Sequence, residues 1–349
     1  MQTSSMHTDA TGAPAAPRSL ALFGILTAAA VTLVIGLGAS RWVERPFPGF
    51  LVLGNRVVAS VGLPSWYDQY DSAVYQSSVD AVAGVPVATS GEIYQRVAER
   101  REAAPVSYEL RRGLSTEHVQ IPTRVFTWGD YWFIFGSYLA TAFLYLVLAF
   151  GGAAWSRDAD VGRALFLVGA TGGIFALSAV GLYDPDGGLR LHALAEAFFP
   201  ASLVHLTFVV PRRSRGRFVG WSRVLPWGLS AAIAVPYQLT LYQPGAYTAM
   251  HGAAEAYLGV AGLTMIGYWT FGTEAAERRE PLVRAALAAA VLGLGVPAVI
   301  MTISGLGSGT LPVNLCSLTA FLFPTCLVAG VLREVLRASR TPTPVVAPG

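Results

Sequence analysis

Apolar stretches about as long as a bilayer is thick recur along most of this 349-residue chain, and that recurrence limits what it can fold into. A hydrocarbon core of about 30 Å is crossed by roughly 20 residues of helix, because a helix satisfies its own backbone polar groups where no water is present. Eight stretches fit: Leu20–Ser40, Tyr131–Trp155, Ala164–Tyr183, Leu191–Pro211, Val224–Leu241, Ala256–Gly272, Ala285–Leu306 and Leu315–Leu332. The sixth is short and Gly-rich. Composition agrees, with 53% hydrophobic and 13% charged residues and a mean hydropathy of +0.50. Soluble domains carry about 25% charge. The lipid bilayer is therefore the expected main partner. The net charge of +3 makes no case for nucleic acid, because the basic residues are scattered over loops.

Every basic residue except His is arginine, and the positions set an orientation. With Met1 in the cytoplasm, the inside loops hold Arg18, Arg157, Arg163, Arg212, Arg213, Arg215, Arg217, Arg223, Arg278, Arg279, Arg284, Arg333, Arg337 and Arg340, fourteen in all. The short outside loops then hold only Arg190, and nine more lie between the first and second spans. Positive charge stays inside in short loops, whereas long domains translocate largely regardless of charge. The expected topology is a multi-pass plasma (inner) membrane protein with both termini cytoplasmic and residues 41–130 extracytoplasmic.

The expected organisation is a cytoplasmic leader (1–19), a first transmembrane helix (20–40), the 90-residue island 41–130, a seven-helix bundle (131–332) and a short tail (333–349). The leader and the tail from Thr341 are poor in large apolar residues and read as disordered. Gly38-Ala39-Ser40 offers small residues for signal cleavage, but the apolar run before them exceeds the usual 7–15 residues, which favours an uncleaved anchor. Cys316 and Cys326, ten residues apart on the last span, are too distant along a helix to bridge.

Within the island, Phe50–Val61 (FLVLGNRVVASV) is apolar and β-branched around a Gly54-Asn55 turn signal, so it reads as two strands or one bent strand. Val79–Val87 turns at Gly84. Thr89 and Glu92 have capping-box spacing, which starts a helix with Ile93 and Val97 on one face. Val106, Tyr108 and Leu110 alternate with Ser107 and Glu109 as a half-buried strand. A final strand, His118–Ile121, leads to Pro122.

This order, with VDAVAGVPV, GEIYQRV and PVSYELRRG in sequence, resembles a bacterial PDZ domain over Pro46–Gly113. The family's usual Ala-Gly-Leu and Gly-Asp are replaced here by Ala73-Val74-Tyr75 and Gln76-Ser77. The resemblance implies a groove in which a peptide or protein C-terminus adds as a strand beside the helix. Gly49, Phe50 and Leu51 would form the carboxylate loop, and Ile93, Tyr94 and Val97 one wall. The bland alternative makes each an ordinary core residue. The fold class expected overall is an α-helical polytopic membrane protein of about eight transmembrane helices with a small inserted α/β PDZ-like domain.

The runs from Asp130 (DYWFIFGSYLATAFLYL), Ala195 (AEAFFPASLVHLTFVVPRR) and Leu311 (LPVNLCSLTAFLFPT) resemble the membrane half of bacterial sensor histidine kinases that carry a PDZ-like extracytoplasmic domain. The 17 residues after Leu332 hold no phospho-accepting His segment and no nucleotide box, so a kinase or other output protein is expected to act in trans. Polar groups at membrane depth mark candidate sites: His192, Glu196, His205 and Asn314. Glu196 and His205 fall on opposite helix faces, and His192 is the residue Glu196 is expected to meet. Interhelical hydrogen bonding is the alternative role. His251 and Glu255 read as solvated at the edge of the sixth span.

No HExxH or G-x-S-x-G motif occurs, and no cofactor, metal site or enzymatic activity is expected. The expected function is a membrane sensor or receptor subunit that binds a peptide or small ligand outside and signals through a cytoplasmic partner. A PDZ-type scaffold for exported proteins and a small-solute transporter are the alternatives.

Overall fold

The computed structural model describes residues 18–63, 66, 74–100, 102–184, 187–211, 216–306, 316 and 319–340. The expected disordered leader up to Pro17, the tail from Thr341 and Asn314 lie outside the described residues.

Six helices are long and apolar enough to cross a membrane: Ser19–Trp42, Trp128–Trp155, Ala159–Val180, Leu189–Val209, Phe218–Thr240 and Pro281–Ile303. The expected sixth span falls on a further long helix, Pro244–Gly267, which carries His251 and Glu255 and is not among these six. The expected last span, Leu315–Leu332, lies partly outside the described residues, and its part from Leu322 onward belongs to the helix Leu322–Arg340.

The chain enters through α1 (Arg18–Ala39), whose Leu22, Phe23, Leu33 and Val34 are exposed, an apolar surface suited to lipid. The island follows. A two-residue strand β1 (Pro46–Phe47) pairs antiparallel with β6 (Arg124–Val125), closing the neck where the chain leaves α1 and enters the bundle. Between them, β2 (Ser78–Val82), β3 (Val85–Pro86), β4 (Pro105–Arg112) and β5 (Ser115–Pro122) form an antiparallel sheet in the order β3-β2-β4-β5. Ala83 (φ 52°) and Gly84 (φ 75°) both adopt left-handed backbone, which suits the tight β2–β3 turn and its right-handed twist. Helix α2 (Ser90–Ala98) starts as expected, with the Glu92 amide donating to Thr89 Oγ1 at 3.3 Å and Ile93 and Val97 buried.

The expected bent strand explains how the island is held. Leu53 to Arg56 make a turn, and the arms on either side meet through an antiparallel bridge between Val52 and Val58. Alternate residues of a strand point to opposite faces. Phe50, Val52 and Val58 enter the island's own core with Tyr75, Val79, Ile93 and Tyr108. Leu51, Leu53, Val57, Ala59 and Val61 enter a second core with Tyr131, Phe135, Tyr237 and Tyr247 of the helices and Tyr183 of a turn between two of them. Burial on both faces is why the segment is apolar at nearly every position. At its tip, Asn55 Nδ2 donates to the Leu241 carbonyl at 2.8 Å, filling an acceptor left open at a helix end.

The helical part begins with α3 (Trp128–Trp155), which contains a π turn at Trp132–Gly136. Its start is fixed by a reciprocal box: Thr127 N donates to Asp130 Oδ2 at 2.7 Å and Asp130 N to Thr127 Oγ1 at 3.1 Å. Then come α4 (Ala159–Val180), α5 (Leu189–Val209), the short α6 (Gly216–Ser222), α7 (Leu225–Thr240) and α8 (Pro244–Gly267). The helix α9 runs Pro281–Ala289, a π turn Ala290–Gly295 and Val296–Leu306, and α10 is Leu322–Arg340.

Candidate ligand-binding site

A cavity of about 150 Å³ lies where the island meets the helices. Its walls come from Tyr138, Thr141 and Tyr145 of α3, Phe175 and Ala179 of α4, His192, Glu196 and Phe199 of α5, Tyr247, His251 and Glu255 of α8, and Pro297, Ala298 and Met301 of α9. Leu53, Ala59, Ser60 and Val61 of the two-faced segment, with Gln76, close it from the island side. A concave site at a junction of elements, mostly apolar with a few convergent polar groups, is the usual form of a small-molecule site, and at about 150 Å³ this one suits a small ligand.

The polar groups are ordered by three helices. Glu196 is buried on α5, and Pro200 one turn later has no N–H to give the Glu196 carbonyl. The carboxylate is doubly bound: Tyr237 OH of α7 donates to Oε2 at 2.9 Å, and His251 Nδ1 lies 2.8 Å from Oε1. His251 Nε2 in turn faces Glu255 Oε1 at 3.4 Å. Tyr247 stacks on the His251 ring, with centroids 5.7 Å apart and planes 8° from parallel. Tyr247, His251 and Glu255 are spaced i, i+4, i+8, which puts all three along one face of α8. Opposite them, His192 Nδ1 meets Ser178 Oγ at 3.0 Å, and its ring stacks on Phe175 at 4.6 Å.

Two sequence expectations are corrected here. Glu196 and His192 both line the cavity, as their one-turn spacing allows, but each takes its own partner on another helix. His251 and Glu255 line the cavity rather than standing free in solvent; the His251 side chain is 21% exposed and Glu255 is 8% exposed. Tyr237 and Thr141 also escaped the sequence reading. The i, i+4 run on α8 is a signal that was present, whereas nothing local marks Tyr237. His205 sits apart, with Nδ1 3.2 Å from Ser222 Oγ, and does not line the cavity. Among the described residues, no three His, Cys, Asp or Glu side chains are grouped to hold a metal ion.

The residues expected to line a peptide groove occupy other positions. Phe50, Ile93 and Val97 are fully buried in the island core, and Leu51 is fully buried in the core shared with the helices. Gly49 holds a left-handed φ of 83°. Tyr94 occupies the strand edge itself: Val52 N donates to Tyr94 OH at 2.8 Å, and that hydroxyl donates to the Val52 carbonyl at 3.2 Å. These are the backbone groups to which an added strand would bind. Trp42 packs edge-on against the Tyr94 ring at 4.9 Å, and burial pushes the phenol above its ordinary pKa, so it stays neutral and able to donate. Replacing Tyr94 with Phe is expected to cost about 1–3 kcal/mol, since it strands two buried groups of Val52. Thermal unfolding of the purified protein checks this, with faster hydrogen exchange at Val52; an unchanged midpoint would show that the phenol is dispensable.

The class these features define is a membrane-embedded helical protein with a small strand-containing insertion seated on its helices over a buried polar cavity. No protein-family model, curated protein or solved structure matches this chain.

Proposed function

We propose that the chain is a receptor-like membrane subunit that binds a small ligand in the cavity between island and helices and signals through a separate cytoplasmic partner. The observation that carries this reading is the shared construction of the cavity: its lid belongs to the island and its walls to α3, α4, α5, α8 and α9. A molecule bound there contacts all of them at once, so it favours whichever packing of the helices fits it best. In this reading the island is extracytoplasmic, as the arginine distribution implies, and the helices carry the shift to the opposite end. The basic segment with Arg212, Arg213, Arg215, Arg217 and Arg223 is the contact offered to an acidic partner surface there. With Tyr94 filling the edge at Val52, the small-ligand form of the function is favoured over capture of an extended peptide at that edge.

Crosslinking with mass spectrometry in native membranes tests the reading by comparing the wild type with Ala298→Phe, which fills the cavity. The expected result is a cytoplasmic protein joined to residues 212–223 with a yield that differs between the two. An equal yield, or no cytoplasmic protein at that segment, would remove the signalling role.

A further inference from the structure

Two carboxylates flank one imidazole at the cavity wall. With both carboxylates ionised, the contacts of His251 to Glu196 at 2.8 Å and to Glu255 at 3.4 Å are both attractive when each ring nitrogen carries a proton. The ring then contributes one positive charge against two negative ones. Among the described residues no Arg lines the cavity, the chain contains no Lys, and the other lining imidazole, His192, is engaged with Ser178. An unbalanced charge in a low-dielectric interior is costly, so a proton or an entering cation has to balance it.

The unfilled hydrogen-bonding capacity has the same polarity. Thr141 is 4% exposed on the cavity wall, and its Oγ1 has no partner among the described residues. Under the lid, Gln76 Nε2 donates to Ser60 Oγ at 2.8 Å, while among the described residues its buried Oε1 accepts from nothing. An amide oxygen is an acceptor only, and a hydroxyl oxygen accepts as readily as it donates. The remaining lining is aromatic and aliphatic, including Tyr138, Tyr145 and Phe175, whose ring faces attract cations.

We infer that the cavity takes a small amphiphilic monocation, a protonated amine on an apolar body, with the ammonium at Glu196 and Glu255 and the body against the aromatic wall. This rests on the receptor reading of the cavity and names its ligand class. Apolar cavities of comparable size accept molecules as large as benzene.

The test uses the full chain in lipid nanodiscs with three probes of one shape: benzylamine, benzyl alcohol and benzoate. Benzylamine is expected to bind with one-to-one stoichiometry at least tenfold more tightly than the other two. Glu196→Gln and Glu255→Gln should each weaken benzylamine binding at least tenfold more than they weaken benzyl alcohol binding. The wild-type comparison needs no variant, so it stands even if one substitution impairs folding. Benzyl alcohol or benzoate binding as tightly as benzylamine, with Ala298→Phe blocking it, would overturn the cation preference and leave the cavity as a ligand site. Binding of none of the three, or binding indifferent to Ala298→Phe, would overturn both.

Discussion

Gly169→Leu is expected to abolish the native packing of α3 against α4. A Cβ at Gly169 would lie 2.4 Å from the Ala149 backbone nitrogen and 2.5 Å from the Tyr145 carbonyl oxygen. Both obstacles are main chain inside a helix, so neither can rotate away; the helices themselves would have to part. Close approach through small residues is how membrane helices gain packing energy without a hydrophobic driving force. Overpacking a tight core costs about 1–3 kcal/mol and sometimes more, and even Gly169→Ala should reach the upper part of that range. Gly173→Ala serves as the control. Its Cβ would meet the end of the Leu146 side chain at 2.8 Å, a group free to change rotamer. Thermal unfolding in a fixed lipid environment should therefore rank the wild type close to Gly173→Ala, then Gly169→Ala, with Gly169→Leu not recovered as folded protein. The consequence reaches the cavity, because Tyr145 lines it and packs edge-on against Phe199 at 5.6 Å. Near-equal midpoints for the two alanine variants would show that the helices are not held at this distance.

What the sequence revealed and what it hid divide along a physical line. Local chemistry was legible: Thr89 and Glu92 start α2, the alternation from Val106 to Leu110 lies inside β4, and Gly54-Asn55 marks the bend in the first island segment. The continuous apolar character of Phe50–Val61 was also plain, but a period-2 pattern cannot say what its second face touches. That face meets Tyr131, Phe135, Tyr183 and Tyr237, which come from three segments far along the chain. The peptide groove was inferred from element order, and element order is blind to Tyr94, whose hydroxyl satisfies the edge at Val52. Likewise, Glu196 was visible as an acid at membrane depth, yet its partners on α7 and α8 are set by helix packing. The edge position of His251 and Glu255 suggested water, whereas both line the cavity together with the island segment and α5.

His251→Leu should be among the most destabilising substitutions in the chain, and the reason is charge rather than size. Leucine fills much of the ring's volume but leaves Glu196 and Glu255 buried with no positive group between them. Removing one partner of a buried ion pair costs about 3–5 kcal/mol, mainly because the charge left behind is uncompensated. Two carboxylates abandoned together belong at the upper end. Tyr237 still donates to Glu196 at 2.9 Å, but one neutral hydrogen bond does not replace a counter-ion. A triple variant, His251→Leu with Glu196→Gln and Glu255→Gln, separates charge from packing. It lacks the same ring stacked on Tyr247 but carries no stranded charge, so it should regain most of the lost stability. Interaction energies within such a network are measurable because the single effects do not add. If the triple variant unfolds as early as His251→Leu alone, lost packing of the imidazole explains the cost. A His251→Leu protein as stable as the wild type would instead mean that the two carboxylates carry no charge to be stranded, and the inferred cation preference would fall with it.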